Sequence, residues 1–488
     1  MSNWDFKRAS RVTSAMTIGA IALSALALSP AAHASDPVIF SFATVGDSRQ
    51  DNAAPDATQL IPQFSGSILP QDHQWLQNTQ AFSEILRNVQ AQKPQLLFFN
   101  GDMIYGYGTP VPPATWSTTN INGQAAATLP NTWNTPATNV SPDFVFEYIQ
   151  YAFWRGMVAP LFNTGTYVIP VPGNHETQCS PTASPYAAAP ANNPNCTLSP
   201  STKHAYAANE SAFIANMGDL IEDLVTNQRF STVTKIPAAN VSNVNGLTTA
   251  SAPQPGGNNG PLTTSQAYLS YSFDIQSTLP SGANGPLLHF AIVNTDPSGS
   301  DNTAPAAWLA SDFAAAQTRG SSAGVATKFF VFGHKPAQTY NYAAGGTTAA
   351  GGLDSNTNHA LVQQFIHVLA QYNATYFSGH EHTVNVQQLT DTTASPSPNK
   401  PFQVIVGSGG SPFDDKLTGT CPGSASVCLE PANEANPTDR YYAWATVQVH
   451  QSGAVTLSVN GFSDTYQPVQ SIPYYNVPGT VFTQATLQ

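Results

Sequence analysis

The residues of this chain that carry the most chemistry come in five short groups. They are Gly46-Asp47, Gly101-Asp102 with Tyr105 three residues on, Gly173-Asn174-His175-Glu176, Gly333-His334, and Gly379-His380-Glu381-His382. Each follows an apolar run. Between them they offer two carboxylates, a phenol, an amide oxygen and three imidazoles beside His175, enough to ligate two cations. A mixed oxygen and nitrogen set suits iron, manganese or zinc, whereas calcium or magnesium calls for oxygen alone. A carboxylate is the side chain best suited to being shared between two cations, since it has two oxygens and a negative charge. His380 and His382 are alternate residues, so in extended chain both rings address one site. Taken singly, each residue is ordinary: an Asp after a glycine is by default a turn or a helix cap. The order of the groups at successive strand ends is what carries weight.

Those strands are legible from their apolar pattern. VIFSFATV, residues 38–45, is apolar and β-branched and leads to Asp47. Residues 75–92 place Trp75, Leu76, Phe82, Ile85, Leu86 and Val89 at helical spacing and stop before Pro94. The short run QLLFF then delivers Asp102. A helix over about 143–157 precedes TYVIPVP and Asn174. Strands YLSYSFD and LLHFAIVN, a helix over about 304–317, KFFVFG ahead of His334, a helix over about 358–370 and ATYFSG ahead of His380 continue the alternation. Alternating strands and helices predict a layered α/β fold, in which ligands collect outside the carboxyl ends of the strands. FQVIVGSGG, AWATVQVH and AVTLSVNGF read as antiparallel strands of a second sheet. Segments 107–142 and 177–268 read as insertions, the first bordering the site and the second a lid or specificity region.

Composition narrows the class. The chain has 488 residues, 41% apolar and 10% aromatic, room for one large or two medium domains with a substantial core. Only 9% are charged, and 34 Gly and 39 Pro with long Ala, Ser, Thr and Asn stretches take up the difference, a pattern of uncharged, loop-rich surfaces. Lys7, Arg8 and Arg11 precede a mostly apolar run from Val12 to Pro30, and Ala32-His33-Ala34 is a small-x-small cleavage site. Residues 1–34 therefore read as a secretory signal, and the destination as secreted or periplasmic. An uncleaved anchor is weakened by the Ser and Thr in the run. Formal charge is -12, and -14 without those 34 residues. Nucleic acid and anionic membrane both demand a basic face, so neither is an expected partner. The four cysteines fall in two local pairs, Cys179 with Cys196 and Cys421 with Cys428. In an exported chain that favours two short-loop disulfides, and the absence of CxxC spacing speaks against zinc.

The five groups, in this order, resemble the motifs of the calcineurin-like metallophosphoesterases, and within them of the purple acid phosphatases. The resemblance covers roughly Val38 to Gly410. It implies a layered β-sandwich flanked by helices, α/β/β/α, with 35–488 as one catalytic domain. It implies one metal on Asp47, Asp102, Tyr105 and His382 and a second on Asp102, Asn174, His334 and His380, bridged by Asp102. The pair would be iron with zinc, manganese or iron. His175 would contact the phosphoryl oxygens and protonate the leaving alkoxide. The implied activity is hydrolysis of phosphate monoesters on a small phosphorylated substrate by in-line attack of activated hydroxide at phosphorus. Alternatives are a phosphodiesterase on the same fold, or a secreted binding protein that keeps the fold without the catalysis. Neither the natural substrate nor the oligomeric state is encoded in any motif.

One position departs from that pattern. Arg49 stands where most of the wider superfamily has His and purple acid phosphatases have Gly. A guanidinium stays protonated and has no lone pair for a metal, which leaves Tyr105 as the replacement ligand. Arg49 then reads as a phosphate clamp, as a partner of Asp47, or as a surface salt bridge. Of the remaining candidates, Gly407 to Gly410 reads as a turn or a phosphate-cradling loop, and Lys335 as a solvated lysine or one that meets substrate charge. His204, Asp414 and Asp415 lie on loops that border the cleft.

Overall fold

The computed structural model describes residues 36–49, 77–108, 142–180, 203–247, 269–298, 300–339, 351–355, 359–393, 399–411, 441–463, 468–469, 474–477, 480–482 and 484–488. The expected signal segment, Cys196, Cys421, Cys428, Asp414, Asp415 and most of 107–142 lie outside them. The chain divides into the units Met1–Asp36 and Pro37–Gln488, and all that follows concerns the second.

In chain order the elements are β1 (Val38–Val45), α1 (Thr79–Gln92), β2 (Leu96–Asn100), α2 (Pro142–Thr164), β3 (Tyr167–Val171) and the single turn α3 (Asn174–Thr177). The short pair β4 (Gln178–Cys179) and β5 (His204–Ala205) precedes α4 (Ala207–Thr226), α5 (Gln228–Thr234) and β6 (Val241–Gly246). Then come β7 (Tyr271–Thr278), β8 (Asn284–Ile292), α6 (Ala306–Ser322), β9 (Thr327–Phe332), α7 (His359–Tyr372) and β10 (Thr375–Ser378). β11 (Val384–Gln388), β12 (Phe402–Val406), β13 (Tyr441–His450) and β14 (Val455–Ser463) complete the main sheets, with short strands beyond them.

Two seven-stranded mixed sheets result. In the first, β1, β2 and β3 run parallel and β13 lies antiparallel on the free side of β1, followed by β14. In the second, β8, β9, β10 and β12 run parallel, with β7 and β6 antiparallel on one flank and β11 on the other. The α/β/β/α layering follows from the two-residue period of strands buried on both sides. Phe42 and Phe98 of the first sheet meet Phe290, Phe330, Phe332 and Phe377 of the second, Phe98 stacking on Phe332 with centroids 3.7 Å apart. Burial of each such ring contributes about 1.5 to 3 kcal/mol. The alternate residues face outward: Phe99 meets Phe82 of α1 and Trp154 of α2, while Phe329 and Val331 join Trp308, Phe313, Phe365 and Leu369 under α6 and α7.

Local signals account for the helix limits. α1 begins at Thr79 because Asn78 caps it, its Oδ1 accepting from Ala81 N at 3.1 Å. It ends at Lys93, in the left-handed region at φ 52°, ahead of Pro94. Two readings of the sequence change. β13 and β14 extend the first sheet and not the second, and β12 runs parallel to β10. Apolar pattern gives strand existence but not partner, and only the pairing of β13 with β1 decides the sheet. The described part of 177–268 also belongs to the core: α4 buries Phe213, Met217, Leu220, Ile221 and Leu224, and β6 edges the second sheet.

Candidate metal centre

The carboxyl ends of β1, β2, β3, β9 and β10 come together where the two sheets meet. The loops after them are stitched by backbone bonds: Asp47 N donates to Gly101 O at 3.0 Å, and Gly379 N to His334 O at 3.0 Å. The turn at Gly407 to Gly410 joins the same stitching, since Gly409 N donates to Gly46 O at 3.0 Å and Ser411 N to Asp47 O at 2.8 Å. That turn therefore serves to fix the Asp47 loop. Gly101, at φ 82°, is required by close approach as well as by conformation: a Cβ there would sit 2.6 Å from both Gly173 Cα and His334 Nδ1.

Asp47, Asp102 and His380 all adopt left-handed backbone, with φ of 61°, 56° and 70°. Asp and His tolerate that region better than most residues but still at a cost of about 1 to 2 kcal/mol each. Three such residues in one place mark a geometry that the surrounding fold enforces.

Of the seven expected ligands, the six other than Tyr105 converge in two groups. Asp47, Asp102 and His382, all buried, each offer one ligand atom within 4.8 Å of the others, and His382 Nε2 lies 3.7 Å from Asp47 Oδ1. In the second group His334 Nε2 is 2.8 Å from Asn174 Oδ1 and 3.1 Å from Asp102 Oδ1. His380 Nδ1 is 2.9 Å from Asn174 Oδ1 and 3.2 Å from His334 Nε2. Asp102 belongs to both groups, in the bridging place.

The donor chemistry fits cations. His334 Nδ1 faces the Asn100 carbonyl at 2.7 Å, which assigns a proton to that nitrogen and leaves Nε2 as the nitrogen that can take either a second proton or a metal ion. Nε2 faces two oxygens, of Asn174 and Asp102, and those oxygens call for a positive charge there, a proton or a metal ion. His334 Nε2 and His380 Nδ1, 3.2 Å apart, can share only one proton. Electrostatics follow the same pattern. Burial works to raise Asp102, yet His175, His334 and Arg49 hold it well below the ordinary carboxylate range. Burial opposes charge on His334, and Asp102 overrides it and raises the ring. Burial, His334 and Lys335 push His380 well down.

His175 sits beside this centre, 3% exposed, its N–H donating to Asp102 Oδ1 at 3.2 Å. Its Nδ1 bonds the Tyr105 carbonyl, which turns Nε2 toward Asp102 Oδ2 at 3.6 Å. Burial and then the Arg49 charge push this ring well below its ordinary value. Tyr105 lies on the His175 side, its ring edge-on to Tyr107 and His175 with centroids 6.2 and 5.7 Å away. Arg49 is not on the surface. It is 7% exposed, and its Nε donates to Asp102 Oδ2 at 3.3 Å, so among the described residues its carboxylate partner is Asp102.

Lys335 is also buried, bonded to Asp296 at 2.7 Å and to Asn302, and is neither solvated nor free for substrate. Asp296 and Asp301 both accept from Gln178 Nε2, and Asp301 from Ala205 N at 2.8 Å, so this chain of contacts docks β4 and β5 on the core. His204 is buried in β5 beside Cys179.

Sequence reading missed three residues here. Glu176 collects the backbone N–H groups of Asp102, Met103, Ile104 and Gly173 at 2.6 to 3.1 Å and so pins the loop that carries Asp102. Burial and Asp102 push it up to about 7, against those amide donors. An acid closing a four-residue turn was the available signal. Tyr107 accepts from Asn174 Nδ2, and Lys203 Nζ lies 3.7 Å above the Tyr107 ring. Neither had a distinguishing pattern.

No known family profile matches the sequence, and no curated protein matches it. The structure is similar to a purple acid phosphatase from yellow lupin (Lupinus luteus) seeds, with TM-score 0.44 and 10% identity over 93% of this chain. The chain spans 54% of that phosphatase. It is similar to a dimetal phosphatase from Danio rerio, with TM-score 0.39 and 9% identity over 93% of this chain and 99% of that one. It is also similar to the inner-membrane-complex anchor GAP50 of Plasmodium, with TM-score 0.38 and 11% identity over 90% of each chain.

Proposed function

We propose that this protein is an exported, dinuclear metal-dependent hydrolase of phosphate monoesters, of the purple acid phosphatase type. The observation that carries the reading is the geometry around Asp102: two groups of ligand atoms share one carboxylate, and two imidazole nitrogens 3.2 Å apart converge on the same amide oxygen. Asp47, Asp102, His382 and the phenol of Tyr105 would hold one ion, and Asp102, Asn174, His334 and His380 the other, iron with zinc, manganese or iron. Two ions there supply Lewis acidity, acidifying water and neutralising charge on both oxygens of an in-line displacement at phosphorus.

The chain's own residues do the rest. Asp102 holds its negative charge between the two groups, and Glu176 fixes the backbone beneath it. His175, its Nδ1 proton committed to the Tyr105 carbonyl, presents Nε2 as a base that would take a proton from solvent and pass it to the departing alkoxide. Arg49 supplies a permanent positive charge beside the reacting phosphoryl group. The substrate is a small phosphorylated molecule, and β4 and β5 form one wall of its entrance. Removal of residues 1–34 on export and two disulfides complete the proposal. No helix among the described residues is long and apolar enough to cross a membrane.

Arg49 favours a second reading. A guanidinium on the bridging carboxylate already neutralises part of the charge a metal would answer, as suits a binding protein that kept the fold and lost the catalysis. Metal content, visible spectrum and phosphoester turnover of the purified mature chain decide between them. The enzyme reading expects two ions per chain and hydrolysis of p-nitrophenyl phosphate, with both lost in Asp102→Ala. Fewer than two ions and no turnover of any phosphoester would establish the second.

A further inference from the structure

We infer that Tyr107 is a positioning residue of this centre, supplying the acceptor that Asn174 needs in order to turn its amide oxygen toward His334 and His380. The inference rests on the reading that these residues hold a metal.

An asparagine amide presents an oxygen with lone pairs at one end and an NH2 with none at the other, and only the oxygen can ligate. Asn174 places Oδ1 2.8 Å from His334 Nε2 and 2.9 Å from His380 Nδ1, at the point where an ion would be held. Its NH2 is then directed away from that point, and Asn174 is 4% exposed, so water is not at hand to receive it. Among the described residues, the Tyr107 hydroxyl is the acceptor the structure gives to that NH2. A phenol can donate or accept, so it serves the amide in either orientation without a cation. With a cation, its role as acceptor becomes necessary, and the energy of that bond is coupled to metal binding.

Tyr107 is held for this task. Its backbone is left-handed at φ 64°, and its carbonyl accepts from Ser180 N at 3.0 Å, just past β4. Gly106 before it passes so close to the His175 carbonyl that a Cβ would collide. The ring rests against the His175 ring with centroids 4.0 Å apart, and Lys203, just ahead of β5, lies over it. The β4 and β5 pair, which belongs to the long segment after β3, thus reaches the metal centre through one hydroxyl.

Tyr107→Phe keeps the ring and its packing and deletes only that hydroxyl. Metal-free wild type and variant would be titrated with Zn2+ against a chelating indicator, and the melting temperature of each metal-free form recorded. Wild type is expected to bind two ions. The variant is expected to bind the first with wild-type affinity and the second about tenfold to a hundredfold more weakly, with its metal-free melting temperature lowered by no more than the few degrees of one lost buried hydrogen bond. Wild-type affinity for both ions in the variant overturns the inference. So does loss of both together with a fall in melting temperature, which would make Tyr107 a packing residue. Fewer than two ions on the wild type would instead defeat the dinuclear reading itself.

Discussion

Among the described residues, two buried clusters of imidazole and carboxylate are built on opposite principles. His289, in the middle of β8, is fully buried with Nδ1 2.7 Å from Asp274 Oδ1 and Nε2 3.0 Å from Asp312 Oδ2. The second oxygen of Asp274 takes Arg319 Nε at 2.6 Å and Asn243 Nδ2 at 2.8 Å, and that of Asp312 takes Asn245 Nδ2 at 3.2 Å. A ring protonated on both nitrogens satisfies everything there. Around His334 and His380, nitrogen faces nitrogen, so the two rings cannot both hold a proton between them, and the residues that bring this about include three in left-handed backbone. The first cluster is complete as it stands and ties α6 to β7 and β8. The second is complete only with added positive charge. Burial is common to both, so burial does not mark a functional site; mismatched partners do.

The sharpest way to break the comparison is to truncate one histidine of each cluster. His334→Ala is expected to abolish binding of one ion and cut kcat/KM on the order of a thousandfold, the scale of losing a preorganised electrostatic group. Metal-free stability should fall by only about 1 to 2 kcal/mol, because the loss of a buried ring that Asp102 favours is partly offset by relief of its repulsion with His380. Urea denaturation of the metal-free protein checks that arm. A His334→Ala chain that loses several kcal/mol of metal-free stability would make the two clusters alike.

The His289 cluster should respond in the reverse sense. His289→Ala leaves Asp274 and Asp312 facing a cavity, and breaking a buried pair in this way costs about 3 to 5 kcal/mol with turnover unchanged. Its pH dependence has a definite sign. Burial opposes charge on the ring, but Asp312 and Asp274 outweigh it and raise the group from 6.5 to about 9, with Arg319 on the far oxygen of Asp274. A pKa raised in the folded state gives stability that is fully present below about pH 6.5 and is lost as pH rises through about 9. The size is on the order of 3 kcal/mol. Urea titrations at pH 6 and 10 should show that loss in wild type and not in His289→Ala.

This contrast also explains what the sequence discloses. Strand ends and their glycines are local, so the groups at Asp47, Asp102, Asn174, His334 and His380 to His382 are visible without coordinates, as are the strands that deliver them. Sheet membership is not local, which is why β13 and β14 read as part of the wrong sheet. Partner identity is not local either. Nothing at position 49 says that its guanidinium reaches Asp102 and not Asp47, and nothing at Lys335 says that it is buried against Asp296. The roles of Tyr107 and Glu176 are hidden for the same reason: each acts through a hydrogen bond to a residue about 70 positions away. Asp274, His289 and Asp312 raise no signal at all, since single polar residues within apolar runs have no spacing to read.

Arg49 is where the two kinds of cluster come closest to merging. It brings to Asp102 the fixed counter-charge that Arg319 brings to Asp274, at 3.3 Å in one case and 2.6 Å in the other. If it serves substrate, its charge is released from Asp102 when ions are bound and turns to the phosphoryl oxygens. Arg49→Ala should then raise KM for a phosphate monoester about tenfold, close to one charge-assisted hydrogen bond of about 1.5 kcal/mol, while kcat changes less. Michaelis parameters with both metal sites filled give the answer. An unchanged KM together with tighter metal binding would show that Arg49 stays on Asp102. The centre would then carry its own counter-ion as the His289 cluster does, and metal would have to displace it.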